Sequence, residues 1–245
     1  GFSGNLCASS DTRRSLRLHA GTNFGRKELG GGGLGFHLET EWQPSPRILL
    51  AIGPTYYASR EPLQFVTSSA DASVSATFGR SYLFAEIFQR TLDLTTRLNV
   101  TLTPALSVQL YVQPFVATGD YRDFKELTAP RSRDYLVYGQ TAGSTLTPLT
   151  DAAGAVTGYA LDPDGAGPRP ATQFGNPNFS ARSLRGNAVV RWEYRPGSTL
   201  FFVWTTNCSA YESDSRFDAV GDVGRLCQGR AANVFAVKAN YWLSL

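Results

Sequence analysis

The sequence predicts an all-β protein, an antiparallel up-and-down transmembrane β-barrel with about eight strands in this chain, and three observations carry that prediction. Apolar and polar residues alternate with period two in segment after segment, which in a strand sends successive side chains to opposite faces. These segments run to roughly 9–14 residues, against the five or six usual in a globular sheet. Their connections alternate between tight and long, the asymmetry of a membrane barrel with short periplasmic turns and longer extracellular loops.

The first alternating segment sets Leu16, Leu18, Ala20, Thr22 and Phe24 against Arg17, His19, Gly21 and Asn23. From Leu34 the pattern is cleaner: Leu34, Phe36, Leu38, Thr40 and Trp42 against Gly35, His37, Glu39, Glu41 and Gln43. Ile48–Tyr57 is apolar on both faces, and its Pro54, which lacks a ladder donor, predicts a bulge. Leu92–Leu102 alternates with Asp93, Thr95, Arg97, Asn99 and Thr101, and Val108–Val116 with Gln109, Tyr111 and Gln113. Leu184–Tyr194 carries Arg185, Asn187, Arg191 and Glu193 on its polar face, and Thr199–Thr206 is again apolar on both. The last thirteen residues alternate to the end, Phe235, Val237, Ala239, Tyr241, Leu243 and Leu245 against Lys238, Asn240, Trp242 and Ser244. Tight turns are predicted at 43–47, 103–107 and 195–199, each containing proline. Longer connections are expected at 25–33, 61–80, 119–180 and 208–232, within a single domain spanning residues 1–245.

Composition excludes other classes. With 42% apolar residues and a net charge of +3 the chain can bury a core and is not disordered. The longest apolar runs, Ile48–Ile52 and Leu200–Trp204, are five residues, whereas a spanning helix needs about 20. Arginine supplies 20 of the 23 basic residues, but no basic block marks a nucleic-acid surface, so no nucleic-acid partner is expected. Residue 1 is Gly and no signal peptide is visible, so the chain reads as a processed form or a piece of something longer.

Alternation alone does not say whether the apolar face meets a core or lipid, and a soluble lipocalin-like barrel or a sandwich is the competing reading. Charged mixtures on the polar faces and aromatics beside the tight turns (Trp42, Trp192, Tyr194, Tyr241, Trp242) favour lipid. On that reading Leu34, Phe36, Leu38, Leu98, Val100, Val190, Trp192, Val237 and Tyr241 face lipid. His37, Glu39, Glu41, Asp93, Arg97, Arg185, Arg191, Glu193 and Lys238 line the lumen, where Glu39/Glu41, Asp93/Arg97 and Arg191/Glu193 can pair across it.

The segment NPNFSARSLRGNAVVRWEYRPGSTLFFVW (176–204), with RTLDLTTRLNVTLTPALSVQLYVQPF (90–115) and NVFAVKANYWLSL (233–245), resembles the C-terminal part of a bacterial family of uncharacterised outer-membrane proteins. In that family a carbohydrate-binding-module-like domain of the family-9 type precedes a β-barrel region. The resemblance covers most of the chain from about residue 30 and is most specific over Ser183–Trp204. It implies a barrel in the outer membrane of a Gram-negative bacterium, with outer-membrane lipid as its partner and no established reaction. It also implies that this chain is the C-terminal share of a larger barrel if the family's barrel exceeds eight strands. Any contact with carbohydrate would come through the N-terminal domain, which this sequence lacks. The last strand resembles the C-terminal signal read by the outer-membrane assembly machinery, except that it ends in Leu245 where an aromatic is usual.

Residues that could carry chemistry have simpler explanations. His19 and His37, the only histidines, could serve as a general base in a barrel hydrolase, yet no nucleophile spacing or G-x-S-x-G elbow accompanies them, and lumen packing accounts for both. DPDGAG (162–167) with Asp151 suggests a calcium loop but lacks a distal Glu, and a solvated turn accounts for it. Gly30–Gly33 is followed by no Lys-Ser/Thr and reads as a hairpin loop rather than a phosphate cradle. Cys208 and Cys227 bracket the last long loop, and a disulfide between them would pin it by about 3 kcal/mol; Cys7 is left over, and other pairings stay open. No catalytic residue, metal or cofactor is expected, and the chain is expected to act as a membrane scaffold or solute conduit. The long 119–180 insertion is the segment best suited to specific function, either constricting the lumen or projecting from it.

Overall fold

The computed structural model describes residues 1–227 and 230–243. The strands are β1 (Phe2–Ser9), β2 (Leu16–Arg26), β3 (Gly32–Ser45), β4 (Ile48–Ala70), β5 (Arg80–Thr103), β6 (Leu106–Leu127), β7 (Tyr135–Val137), β8 (Thr145–Thr150), β9 (Val156–Asp162), β10 (Thr172–Gly175), β11 (Phe179–Arg195), β12 (Ser198–Glu212) and β13 (Arg230–Asn240). A 3-10 turn lies at Ser75–Thr77 and a short helix, α1, at Ala219–Gly224. The protein is all-β, with antiparallel pairing throughout. Its main sheet runs β1-β2-β3-β4-β5-β6-β11-β12-β13, with β7 added beside β6, and a second sheet has the order β10-β9-β8.

The main sheet is open. Its outer members β1 and β13 do not pair with each other, so the closed barrel expected from the sequence is not formed by the described residues. Strand polarity gives the reason: each of the nine strands is antiparallel to its neighbour, so the first and ninth run the same way. Their direct pairing would be parallel, whereas up-and-down closure is antiparallel. The nine strands also correct the expected eight. β1 escapes notice because its apolar-face set, Phe2, Gly4, Leu6 and Ala8, is too small to read as an apolar stripe.

The three tight turns are two residues long, at 46–47, 104–105 and 196–197, and Gly197 takes the left-handed conformation (φ 74°) that the last requires. The expected loop at 61–80 shrinks to 71–79, because β4 and β5 project well past the apolar segments, with register shifts between Glu61 and Gln64 and between Phe65 and Thr67. β6 likewise runs on to Leu127, so the long insertion covers 128–178. Pro54 does not create a bulge: it pairs with Leu94 on one side, and on the other the ladder to β3 lapses between the His37–Thr55 and Thr40–Ile52 pairs without changing register. β13 ends at Asn240, Tyr241–Leu243 lie beyond it, and the expected strand end at Ser244 and Leu245 falls outside the described residues.

Register sorts the main sheet into two faces. Cross-strand partners run Leu18↔Thr40↔Ile52↔Thr96↔Val112↔Gly186↔Thr206, and two residues away Leu16↔Trp42↔Leu50↔Leu98↔Leu110↔Ala188↔Trp204↔Phe235. One face is thus apolar across these eight strands, β1 adds Leu6 and Ala8 to it opposite Thr22 and Ala20, and much of it is open: Phe36 is 50% exposed, Trp192 46% and Val237 67%. Partners share a face, so a one-residue slip on any strand would turn its apolar set to the opposite side.

The projecting ends of β4, β5 and β6 are covered on the polar side by the insertion. Leu83, Ala85, Phe124, Tyr138 and Leu161 form a buried cluster, with Tyr159 and Phe174 of the small sheet packed on Phe124 at ring-centroid distances of 5.0 and 5.2 Å. The segment after β12 instead folds over the upper part of the apolar face. Phe217 lies 6.1 Å from Tyr56, and Asp222 of α1 is an ion-pair partner of Arg182 at 3.3 Å. A Cys208–Cys227 disulfide (Cα–Cα 5.3 Å) ties this segment to β12, while Cys7 is exposed and free.

Candidate functional site: a histidine pair on the polar face

The face opposite the apolar one carries Arg17, His19, His37, Glu39 and Glu41 of β2 and β3 and Asp93 and Arg97 of β5. Pairing sets His19 beside Glu39 and Gly21 beside His37, so the two histidines are diagonal neighbours. Gly21 permits their approach: a Cβ there would collide with the His37 imidazole, which lies across β2. The Nε2 atoms of His19 and His37 are 3.4 Å apart, and on its other side His19 Nδ1 is 2.7 Å from Ser9 Oγ of β1. The chain thereby assembles a Ser9–His19–His37 row from three strands.

The Ser9–His19 end of this row opens into a cavity of about 480 Å³ lined by Arg17, His19, Glu39, Glu41, Asp93 and Arg97. Arg17 donates to Glu41 and, at 3.2 Å, to Gln43. Asp93 accepts hydrogen bonds from Gln113 Nε2 (2.7 Å) and Thr95 Oγ1 (3.1 Å), and Arg97 stacks over the Tyr111 ring at 5.6 Å. The ion pairs therefore form between strand neighbours and not across a lumen, and the Asp93/Arg97 pair is replaced by these separate contacts. Arg191 and Glu193 do pair, at 3.1 Å.

Every residue in the expected polar set, His37, Glu39, Glu41, Asp93, Arg97, Arg185, Arg191, Glu193 and Lys238, lies on this one face. Leu34, Phe36, Leu38, Leu98, Val100, Val190, Trp192 and Val237 lie on the other, and Tyr241 sits just past β13, accepting a hydrogen bond from Arg195 Nη1 at 3.0 Å. Ser9 and Gln113 were missed as site residues. For Ser9 no local signal existed, since β1 lacks a strong stripe and the contact depends on which strand lies next to β2.

Chemically, His19 can accept the Ser9 hydroxyl proton, and one Nε2 of the histidine pair must carry a proton when the other accepts. Among the described residues no carboxylate is hydrogen-bonded to either ring to orient it as a strong base. Among the described residues no group of three or more His, Cys, Asp or Glu is placed to hold a metal ion. Asp151 and Asp162 are turn residues, each accepting backbone N–H bonds from residues two to four further on.

A second polar cluster lies under the insertion. Arg169 pairs with Asp71 at 2.9 Å and Glu126 at 2.6 Å, both carboxylates being buried, and Tyr138 donates to Glu126 at 2.7 Å. Burial, reinforced by the Glu126 carboxylate, pushes the Tyr138 phenol well above its usual range. For Asp71 burial acts upward, but hydrogen bonds from Ser73 and Arg169 outweigh it and hold the carboxyl below its usual value.

Compared with known proteins, the chain matches no family model, no curated protein and no solved structure.

Proposed function

We propose that the chain is an integral β-barrel of a Gram-negative outer membrane, or a share of a larger one, serving as membrane scaffold or solute conduit and not as a catalyst. The observation that carries this reading is the exposed apolar face running unbroken across nine long strands, backed by a polar face of ion pairs and histidines. A soluble sheet with one such face would cover it with a second layer, whereas here only its upper part is covered. In lipid the unpaired edges of β1 and β13 could not stay open. An all-antiparallel wall would then need an odd number of further strands between them, supplied by more of the same polypeptide or by another chain. The family resemblance fits this arrangement, with the assembly machinery engaging the last strand.

The test is refolding with and without detergent, followed by far-UV circular dichroism and heat-modifiable gel mobility. Strand signal and a compact, heat-modifiable band only in detergent or lipid are expected. A folded monomer in plain buffer would overturn the reading and put the apolar face in a soluble core. A second reading, a barrel hydrolase, is favoured by one observation, the 2.7 Å contact between Ser9 and His19. It requires that Ser9→Ala and His19→Ala abolish ester hydrolysis by the folded chain; activity unchanged in both variants removes it.

A further inference from the structure

We propose that the apolar face carries a binding site for a phosphate-bearing lipid, with the headgroup held by Arg26, Arg60 and Arg90 and the acyl chains laid along the trough below them. The inference rests on the membrane reading above and deepens it by naming the lipid chemistry.

Strand register puts Arg26, Arg60 and Arg90 on the apolar face, just above its last apolar residues. Arg26 and Arg60 flank Gly32 of β3, and Arg90 pairs with Ala58, two residues before Arg60. Together with the Gly30–Gly33 hairpin, whose tight turn uses Gly30 at φ 86°, they line a groove of about 510 Å³ that contains no carboxylate. The glycines leave its floor as bare backbone, open to a bulky headgroup.

The charges here are unevenly neutralised. Arg60 is paired with Glu86 and Arg122 with Asp120, and both guanidinium groups lie over the Phe88 ring at 5.7 and 5.6 Å. Arg182 has Glu212 and Asp222. Arg26 and Arg90 are exposed and make no ion pair with any described residue. A phosphate oxygen is the ligand that such unneutralised guanidinium groups, both lining one groove, accommodate best, through their fixed fork of donors.

A lipid rather than a free anion follows from what lies underneath. One step of two residues down each strand leads from Leu34 to Phe36, from Ala58 to Tyr56 and from Arg90 to Leu92, and these open into a second groove of about 530 Å³ on the same face. Small side chains form its bed, Ala8 and Ala20, while Leu6, Phe36, Leu38 and Tyr56 stand up around them. The two grooves succeed each other along the strands, the basic one at the long-loop end and the apolar one toward the tight-turn end. That polarity matches a lipid lying parallel to the wall with its phosphate at the interface, where basic side chains gain most from anionic lipid.

The test inserts the refolded full chain into neutral phosphatidylcholine vesicles doped with phosphatidic acid and measures, by native mass spectrometry after extraction, which lipid is retained. Wild type is expected to retain phosphatidic acid over phosphatidylcholine. Arg26→Gln/Arg90→Gln should insert equally well, with the same heat-modifiable band, and bind phosphatidic acid about fivefold more weakly for each arginine removed. Arg26→Lys/Arg90→Lys should keep most of the preference, separating charge from fold. Equal retention of both lipids by inserted wild type, or full preference in the glutamine variant, overturns the site while the membrane reading stands. Displacement of phosphatidic acid by millimolar inorganic phosphate overturns the lipid assignment. A chain that is a folded monomer in plain buffer and inserts into no vesicle overturns both.

Discussion

Replacing Arg169 with Met should release the insertion from the strand ends it covers. The guanidinium lies 2.6 Å from Glu126 and 2.9 Å from Asp71, and its side chain is 18% exposed against 2% and 3% for theirs. Methionine preserves much of the volume and removes the only cation among the described residues in contact with either carboxylate. Breaking a buried ion pair by deleting one partner costs about 3–5 kcal/mol, because the surviving charge is left desolvated. Here two carboxylates survive, and one can relieve the strain by taking up a proton, so we expect the lower part of that range. At about 1.4 kcal/mol per tenfold change, the local opening equilibrium of residues 128–178 should rise by about 10²–10³. Hydrogen exchange at the Tyr159 and Leu161 amides reads this directly, since β9 is the central strand of the small sheet. Exchange there should accelerate by that factor while amides of β3 and β11 are unchanged. The triple variant Asp71→Asn/Glu126→Gln/Arg169→Met, which leaves no charge behind, should recover most of the protection. Acceleration of less than tenfold in Arg169→Met would refute the argument that this triad anchors the insertion.

Two further predictions use other anchors. Cys208→Ser should loosen the segment over the apolar face by about 3 kcal/mol, given the sequence separation of 19 between the two cysteines; trypsin should then cut faster at Arg216 and Arg225, as it should in reduced wild type. Acidification should also detach the insertion. The Asp71 carboxyl is held below its usual value in the folded chain, so its contribution is fully present above about pH 4 and is lost as the pH falls through the folded pKa; the protection factor at Tyr159, the intrinsic exchange rate divided by the measured one at each pH, should fall only below about pH 4.

Much of the main sheet was legible because strand periodicity is a local property. A polar residue between two apolar ones needs no tertiary knowledge to be placed on the opposite face, which is why Glu39, Asp93, Arg97 and Lys238 could be set apart from Leu38, Leu98 and Val237. The turns at Pro46, Pro104 and Pro196 were legible for the same reason. The projecting halves of β4, β5 and β6 were not, because beyond the apolar band both faces carry mixed residues and the strands persist by packing against the insertion. Nor was the cover of Phe217 over Tyr56 and of α1 over Arg182, which depends on contacts between segments some 160 residues and 40 residues apart.

The sequence by itself determined an all-β chain, the two-faced character of its long strands and the end of the sheet at which the tight turns lie. Each follows from side chains at spacings of a few residues. Only the tertiary structure decided that Ser9, His19 and His37 stand in one row, that Arg169 joins Asp71 to Glu126, and that Arg26 and Arg90 line one groove of the apolar face. Those outcomes depend on which strands become neighbours and in what register, and register is settled by the whole sheet at once, where a slip of one residue exchanges its faces.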